Sequence, residues 1–304
     1  MRVLVTGASG LLGLNLALEA AQEHTVFGVA NSHPLRAETF TVIKTDLLAP
    51  GAVEQELAQS QPDWIVHCAA LAIIDACERA PELAWRLNKE LPEKLARAAR
   101  GGARLLHVST DAVFDGQDGD YIETDRPNPL SVYAQTKLAG EQAVAAADPE
   151  AVIARVNLFG WSLFGRRSLS EFFYNNLSAG SPVQGFTDVY FCPLLATHLA
   201  GLLLRMLDAD LHGLYHAVSA ACLTKYDFGV ALADRFGLDA GLIAPVSVAE
   251  SGLQAARSPH LTLNTGKLTA ALGGPPPSWE AGLDELYRQH LAGYPDRLRK
   301  MAEE

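Results

Sequence analysis

The first half of the chain alternates short apolar runs with amphipathic stretches. The apolar runs span residues 2–6, 25–30, 40–45, 64–69, 104–109 and 151–156, and their length and content of β-branched residues indicate buried strands. Helical periodicity marks residues 11–23, 52–59, 81–100 and 131–147, the third stretch divided around Pro92. Because strands joined by crossover helices form parallel sheets that are covered on both faces, this pattern predicts a doubly wound α/β fold.

A glycine-rich turn stands between the first predicted strand and the first predicted helix. It reads Thr6-Gly7-Ala8-Ser9-Gly10-Leu11-Leu12-Gly13, with the spacing G-x-x-G-x-x-G. In dinucleotide-binding proteins the first glycine permits a tight turn, the second admits the pyrophosphate, and the third lets helix and sheet pack closely. The helix N-terminus adds unpaired N–H groups and the positive end of its dipole. This context predicts a Rossmann-type sheet with a dinucleotide site, rather than a merely structural turn.

The pattern becomes less regular after about residue 160. Helices are predicted near residues 168–179, 194–207, 224–236 and 278–290, separated by loops rich in glycine, proline and aromatic residues. We predict a Rossmann NAD(P)-binding domain over residues 1–160 and a smaller α/β, mainly substrate-binding region over residues 161–304. Segments such as 192–220 could return to the first domain.

The composition allows a full core and constrains the partners. Hydrophobic residues make up 49% of the 304 positions, and 24 basic against 35 acidic residues leave a net charge of −11. An acidic chain repels extended polyanions on average, so we predict no nucleic-acid and no membrane partner. The sequence contains no stretch of 18 apolar residues and no signal peptide, so we expect a soluble, cytoplasmic protein.

The cysteines and two histidines are assigned to the interior. Cys68, Cys77, Cys192 and Cys222 form no CxxC pair and no zinc-type cluster with histidine. We expect four buried free thiols of a reducing compartment and identify no metal cluster, which leaves the need for a divalent ion open. His67 and His107 lie within apolar strands and are expected to be core residues with satisfied ring nitrogens rather than ligands.

The end of the second strand bears on the choice of cofactor. An NAD site usually places Asp or Glu there, on the ribose hydroxyls. This chain has no acidic residue between His24 and Ala37 and carries Asn31, Ser32 and Arg36 instead. Neutral donors with an arginine suit a 2′-phosphate, so NADP(H) is favoured over NAD(H).

A tyrosine and a lysine lie four residues apart on the helix predicted from residue 131. Tyr133 and Lys137 therefore share one helix face, and a nearby ammonium is expected to lower the pKa of the phenol. A phenol tuned in this way can hand a proton to a developing alkoxide. Thr110 ends a predicted strand, where its hydroxyl could bind a reacting carbonyl. The Asp115-Gly116 pair that follows is a turn signal, so Asp115 is expected to be structural.

Taken together, these motifs resemble the extended short-chain dehydrogenases/reductases, and among them the dTDP-4-dehydrorhamnose reductase family. The matching segments are TGASGLLG at 6–13, PDWIVHCAA at 62–70, STDAVFDG at 109–116, YAQTK at 133–137 and LNTGKL at 263–268. The resemblance implies hydride transfer from NAD(P)H to the 4-keto group of a nucleotide-linked 6-deoxyhexose.

The resemblance also implies roles for individual residues. Tyr133 would protonate the new oxyanion, Thr110 would polarise the carbonyl, and Lys137 would tune Tyr133 and hold the nicotinamide ribose. The cofactor-binding set is Gly7, Ser9, Gly10, Leu11, Leu12, Gly13, Asn31, Ser32, Arg36, Asp46, Leu47, Ala69, Ala70, Tyr133 and Lys137.

The substrate side departs from the family pattern. Ala112 stands where the family has tyrosine, residues 155–160 lack its tryptophan, and the loop at 188–193 differs. The candidate substrate-binding residues are Ala112, Asn157, Trp161, Arg166, Tyr190 and Arg257, with Arg167 as a further candidate for a pyrophosphate. Two alternatives therefore stay open: reduction of a different carbonyl compound, or a non-catalytic NADP-binding role like that of the regulatory subunit of methionine adenosyltransferase. The predicted partner is a small molecule, and a homodimer is also left open.

Overall fold

The computed structural model describes residues 1–250 and 258–302. Its strands are β1 (Arg2–Thr6), β2 (Thr25–Ala30), β3 (Thr41–Lys44), β4 (Trp64–His67), β5 (Arg104–Thr110), β6 (Val152–Val156), β7 (Leu158–Phe159), β8 (Val183–Phe186), β9 (Tyr190–Phe191), β10 (Leu194–Leu195), β11 (Gly213–Ala217), β12 (Leu223–Thr224), β13 (Ile243–Val246) and β14 (His260–Leu261). Its α-helices are α1 (Leu11–Ala20), α2 (Ala52–Ser60), α3 (Ile74–Arg79), α4 (Pro81–Trp85), α5 (Leu91–Ala99), α6 (Val132–Ala147), α7 (Leu169–Ser178), α8 (Ala196–Asp208), α9 (Lys225–Phe236), α10 (Gly266–Leu272), α11 (Trp279–Leu291) and α12 (Tyr294–Arg299).

Seven strands form one parallel sheet in the order β11-β6-β5-β4-β1-β2-β3. Thr6 pairs with Val29 on one side and with His67 on the other, so the direction of strand succession reverses at β1. The predicted doubly wound parallel sheet is confirmed. Crevices that bind ligands in such sheets lie beyond the carboxyl ends of the strands at this reversal.

The two faces of the sheet bury separate cores because successive strand residues point in opposite directions. Val3 and Val5 pack with α1 and α8 on one face. Leu4, Ile65 and Leu105 pack with α5 on the other. This alternation explains why strands buried on both sides read as nearly continuous apolar runs.

The stretch predicted as helix over 81–100 is one irregular helical rod rather than two pieces. Between α4 and α5 lies a π-helical turn, Arg86–Glu90, and Pro92 is the second residue of α5, directly after this irregular turn. The short helices α3, α10 and α12 were not predicted. Each has six or seven residues, too few to show an apolar period.

Part of the second half of the chain returns to the main sheet. β11 pairs with β6, and α8 packs against α1. The remaining short strands form three small sheets, β12-β9-β14, β13-β8 and β10-β7. No helix of the described ranges is long and apolar enough to cross a bilayer.

Cys192 and Cys222 form a disulfide, so the expectation of four free thiols is wrong for this pair. The two residues are 30 positions apart, and such a pairing depends on the folded backbone rather than on sequence spacing. Cys68 and Cys77 are free. Burial raises the pKa of Cys68 to about 12 and that of Cys77 to about 11, which makes both poor nucleophiles.

Candidate active site

Six parallel strands end at the same edge of the sheet, and many of the predicted site residues lie at these strand ends. The residues at or just beyond these ends are Gly7 after β1, Asn31 and Ser32 after β2, Asp46 and Leu47 after β3, Ala69 and Ala70 after β4, Thr110 at the end of β5, and Asn157 after β6. The glycine turn is fixed to the second strand by a hydrogen bond from Ala8 N to Val29 O of 2.9 Å. The fold therefore brings the predicted cofactor residues and Thr110 to a common edge.

Two glycines of the turn have no room for a side chain. Gly7 has φ +69°, and a Cβ there would lie 2.8 Å from the Ala69 backbone. A Cβ on Gly13 would lie 2.2 Å from Gly7 O. The first and third glycines thus hold the turn against β4 and α1, as the motif predicts.

Gly13→Ala is expected to lower the free energy of unfolding by about 1–3 kcal/mol because the new methyl group overpacks the turn. The displaced turn should also weaken NADPH binding by about tenfold or more. Gly201→Ala in α8 is the matched control, since nothing lies within 4 Å of a Cβ there; it should stabilise the protein by up to about 1 kcal/mol. Thermal unfolding and calorimetric titration measure both effects, and an unchanged NADPH affinity in Gly13→Ala would contradict the assigned role.

The N-terminus of α1 is free to receive an anion. Its N-cap residue is Gly10, which has no side chain that could cap the helix, and the first turn carries no acidic residue. The first N–H groups of any helix lack intrahelical acceptors, and here no side chain caps them. These features fit the pyrophosphate of a dinucleotide.

Thr110 ends β5 with its hydroxyl close enough to the Tyr133 phenol to lower the pKa of that phenol. Thr110 Oγ1 also accepts from Ala112 N at 3.2 Å and lies 3.1 Å from Asp111 Oδ1. Burial raises the pKa of Tyr133 to about 12; the nearby Thr110 hydroxyl acts in the opposite direction, and the charge of Asp111 raises the pKa further. The phenol therefore carries its proton at neutral pH, as a proton donor must.

Lys137 does not lower the pKa of Tyr133 in the protein alone, so that expectation is wrong. Its Nζ donates to Val108 O at 2.6 Å and lies 3.4 Å from His107 Nε2. Burial lowers the pKa of Lys137 to about 8, against the opposite influence of Glu141. The helix face shared by Tyr133 and Lys137 is as predicted, but desolvation of the phenol outweighs any effect of the ammonium.

Two buried histidines stack beneath the site. The rings of His67 and His107 are 5.4 Å apart, and His67 Nδ1 lies 2.7 Å from Thr6 Oγ1. Burial lowers the pKa of His67 to about 3 and that of His107 well below its ordinary value, so both are neutral. They are core residues as predicted, but each leaves one ring nitrogen without a hydrogen-bond partner among the described residues, His67 Nε2 and His107 Nδ1.

Asp111 and Asn157 form a polar pair behind Thr110. Asn157 Nδ2 donates to Asp111 Oδ2 at 2.5 Å. Burial raises the pKa of Asp111 to about 6, while its bonds to Asn157 and Thr110 act in the opposite direction. Ala112 follows in a short 3-10 turn over Asp111–Val113. The predicted substrate candidates Ala112 and Asn157 therefore lie beside Thr110.

Asn88 is a positioning residue that the sequence motifs did not indicate. Its amide donates to Thr136 Oγ1 at 3.0 Å and to Leu71 O at 3.1 Å, and its Oδ1 accepts from Leu71 N at 2.9 Å. It joins the loop after β4 to the helix that carries Tyr133. An asparagine within an amphipathic helix, next to a π-helical turn, was the available signal.

Trp161 is not a substrate residue, contrary to the sequence prediction. Its ring is 1% exposed, and its Nε1 donates to Leu286 O at 3.2 Å. It packs edge-on against Tyr174, in the same core as Val3 and Val5. Large aromatic rings fill cores more often than they bind ligands, and here core packing decides the outcome.

The remaining substrate candidates differ in their surroundings. Tyr190 is 39% exposed, with its ring 4.8 Å from that of His260. Arg166 is exposed, and Arg257 lies outside the described residues. Asp115 accepts from Tyr121 and Asn128, as expected of a structural residue.

This sheet, glycine turn and Thr–Tyr–Lys constellation define a dinucleotide-binding protein of the extended short-chain dehydrogenase/reductase class. The family model described as RmlD substrate binding domain matches residues 1–291. The chain belongs to this family.

Three relatives illustrate the range of the family. The chain is 33% identical to the probable low-salt glycan biosynthesis reductase Agl14 of Haloferax volcanii, covering 94% of this chain and 97% of that protein. It is 34% identical to the dTDP-4-dehydrorhamnose reductase of Mycobacterium tuberculosis, and the match covers 93% of this chain and 91% of that protein. It is 33% identical to methionine adenosyltransferase 2 subunit beta of Danio rerio, and the match covers 88% of this chain and 84% of that protein.

A solved structure matches over almost its whole length. The dTDP-4-dehydrorhamnose reductase of Bacillus anthracis in complex with NADP superimposes with a TM-score of 0.81 at 25% identity. The match covers 95% of this chain and 99% of that one.

Proposed function

We propose that this protein is an NADP(H)-dependent reductase of a nucleotide-linked 4-keto-6-deoxy sugar. The observation that carries the proposal is the placement of Thr110 beside the Tyr133 phenol, with buried Lys137 one turn further along α6, at the same sheet edge as the uncapped glycine turn. The relatives named as reductases of such a sugar support the substrate class. We place the reaction in the cytoplasm, with a small molecule as substrate.

Each site residue has a distinct task in this reaction. The N–H groups at the start of α1 bind the pyrophosphate, and Lys137 holds the nicotinamide ribose. The bound cofactor supplies the hydride. Thr110 donates a hydrogen bond to the substrate carbonyl, and Tyr133 transfers its phenolic proton to the oxygen as negative charge develops there.

The altered side chains around Thr110 bear on which sugar is reduced. With Ala112 in the 3-10 turn, no phenol is present at this position. The bond from Asn157 to Asp111 instead fixes the carboxyl group behind the threonine. The proposal therefore names a class of sugar rather than one compound.

Oxidation of NADPH with dTDP-, UDP- and GDP-linked 4-keto sugars tests the function. We expect turnover with at least one nucleotide and with NADPH in preference to NADH. Turnover only with carbonyl compounds that carry no nucleotide would contradict the substrate class.

The second candidate is a non-catalytic NADP-binding subunit. The similarity to methionine adenosyltransferase 2 subunit beta favours it, since the match spans 84% of that protein. Tight NADPH binding without turnover of any keto sugar, together with a stable complex with a methionine adenosyltransferase catalytic subunit, would support this role against the reductase.

A further inference from the structure

The loop between β7 and α7 is held by one buried carboxylate. Glu171 is fully buried, and its carboxylate accepts from the backbone N–H groups of Ser162 at 2.6 Å and Arg167 at 2.7 Å. It also completes a capping box with Ser168 at the start of α7. The backbone of Arg167 is therefore fixed by contacts that do not involve its side chain.

The Arg167 side chain reaches the loop that follows β2. Its Nη2 lies 3.0 Å from His33 Nε2, and His33 Nδ1 lies 3.0 Å from Ser32 Oγ. The Phe164 ring packs 5.3 Å from the His33 ring. A residue assigned from sequence to a substrate pyrophosphate thus contacts the cofactor side of the molecule.

The donor and acceptor roles along this chain follow from the arginine. A guanidinium only donates, so His33 Nε2 accepts and the ring proton lies on Nδ1. Burial and the charge of Arg167 lower the pKa of His33, which keeps the ring neutral. Nδ1 then donates to Ser32 Oγ, and the Ser32 hydroxyl hydrogen is left to donate to another group.

We infer that Arg167 and Ser32 bind the 2′-phosphate of NADP(H), with His33 joining them. In this fold the adenosine ribose lies at the end of the second strand. No acidic side chain between His24 and Ala37 repels a phosphate there. Arg167 donates one N–H to His33 and has others for phosphate oxygens. The inference rests on the cofactor part of the proposed function only.

Arg36, the arginine predicted for this phosphate, has a different setting. Its backbone N donates to Met301 O at 2.8 Å. It lines a cavity of about 920 Å³ together with Asn15 of α1 and Arg297 of α12. The arginine whose side chain contacts the loop after β2 is therefore Arg167.

Calorimetric titration of NADPH and NADH into Arg167→Ala tests the inference without any sugar substrate. We expect the NADPH dissociation constant to rise about tenfold or more, and that of NADH to change by less than about twofold. Arg167→Lys should retain part of the NADPH affinity. Arg97→Ala on α5, where the side chain is 71% exposed, is the control for removing one positive charge.

Two results would overturn the inference: NADPH affinity unchanged in Arg167→Ala, or equal losses for NADPH and NADH. Thermal unfolding of Arg167→Ala shows whether the substitution disturbs the loop as a whole. If the variant is less stable, the binding of 2′-AMP and of 5′-AMP to it is compared with their binding to the unaltered protein. Only 2′-AMP should bind more weakly to Arg167→Ala than to the unaltered protein. Failure to reduce keto sugars would contradict the reductase proposal and leave this assignment standing.

Discussion

Replacing Tyr133 by phenylalanine is expected to lower keto-sugar turnover by about 10²- to 10⁴-fold, the usual contribution of a positioned general acid. The variant keeps the ring and removes only the phenolic oxygen beside Thr110. NADPH affinity should stay within about twofold, because the lost group acts on the transition state rather than on the bound cofactor. Steady-state kinetics and calorimetric NADPH titration measure the two quantities separately.

A matched control is available on α11. Tyr287 lies under the guanidinium of Arg235, at 5.2 Å, and it belongs to neither the sheet edge nor the glycine turn. Tyr287→Phe should leave turnover unchanged. Full activity in Tyr133→Phe would contradict the proton-donor role, whereas a large loss of NADPH affinity would instead indicate a binding role for the phenol.

Replacing Glu141 by leucine is expected to lower the free energy of unfolding by about 3–5 kcal/mol, the range for a buried charge left without its partner. Glu141 Oε2 accepts from Arg155 Nη2 at 2.8 Å, and the two side chains are only 6% and 3% exposed. Glu141 Oε1 also accepts from Ser109 Oγ at 2.5 Å. The substitution therefore leaves a buried guanidinium and a buried hydroxyl unpaired beside Thr110.

Chemical denaturation of two further variants separates this explanation from a loss of packing. Glu141→Leu combined with Arg155→Met should recover most of the stability, since no uncompensated charge remains. Asp284→Ala removes the partner of Arg235 in an exposed ion pair and should cost no more than about 1 kcal/mol. A double variant as unstable as Glu141→Leu alone would show that the unpaired charge is not the cause.

Local sequence patterns were sufficient to predict much of the fold and the cofactor-binding half of the site. The apolar runs predicted six strands of the main sheet, and the glycine spacing predicted a turn in which Gly7 and Gly13 have no room for a Cβ. Both signals are local, because strand burial and a tight turn each depend on a few consecutive residues. The short helices α3, α10 and α12 were missed because so few residues show no period.

The assignments that failed depend on distant residues. Trp161 became a core residue through Leu286, 125 positions away, and Cys192 paired with Cys222. The Lys137 ammonium donates a hydrogen bond to Val108 O instead of acting on the phenol. In each case residue type and spacing were compatible with several partners, and packing selected one of them.

The sequence by itself determined the class of sheet, the dinucleotide turn and the helix face shared by Tyr133 and Lys137, because these follow from periodicity and short-range sterics. Only the tertiary structure decided the protonation of the phenol and the contact of Arg167 with His33. The same holds for the hydrogen bond of Asn88 to Thr136 and the ion pair of Glu141 with Arg155. Desolvation and pairing depend on what the fold packs around a group, and neighbours along the chain do not specify this.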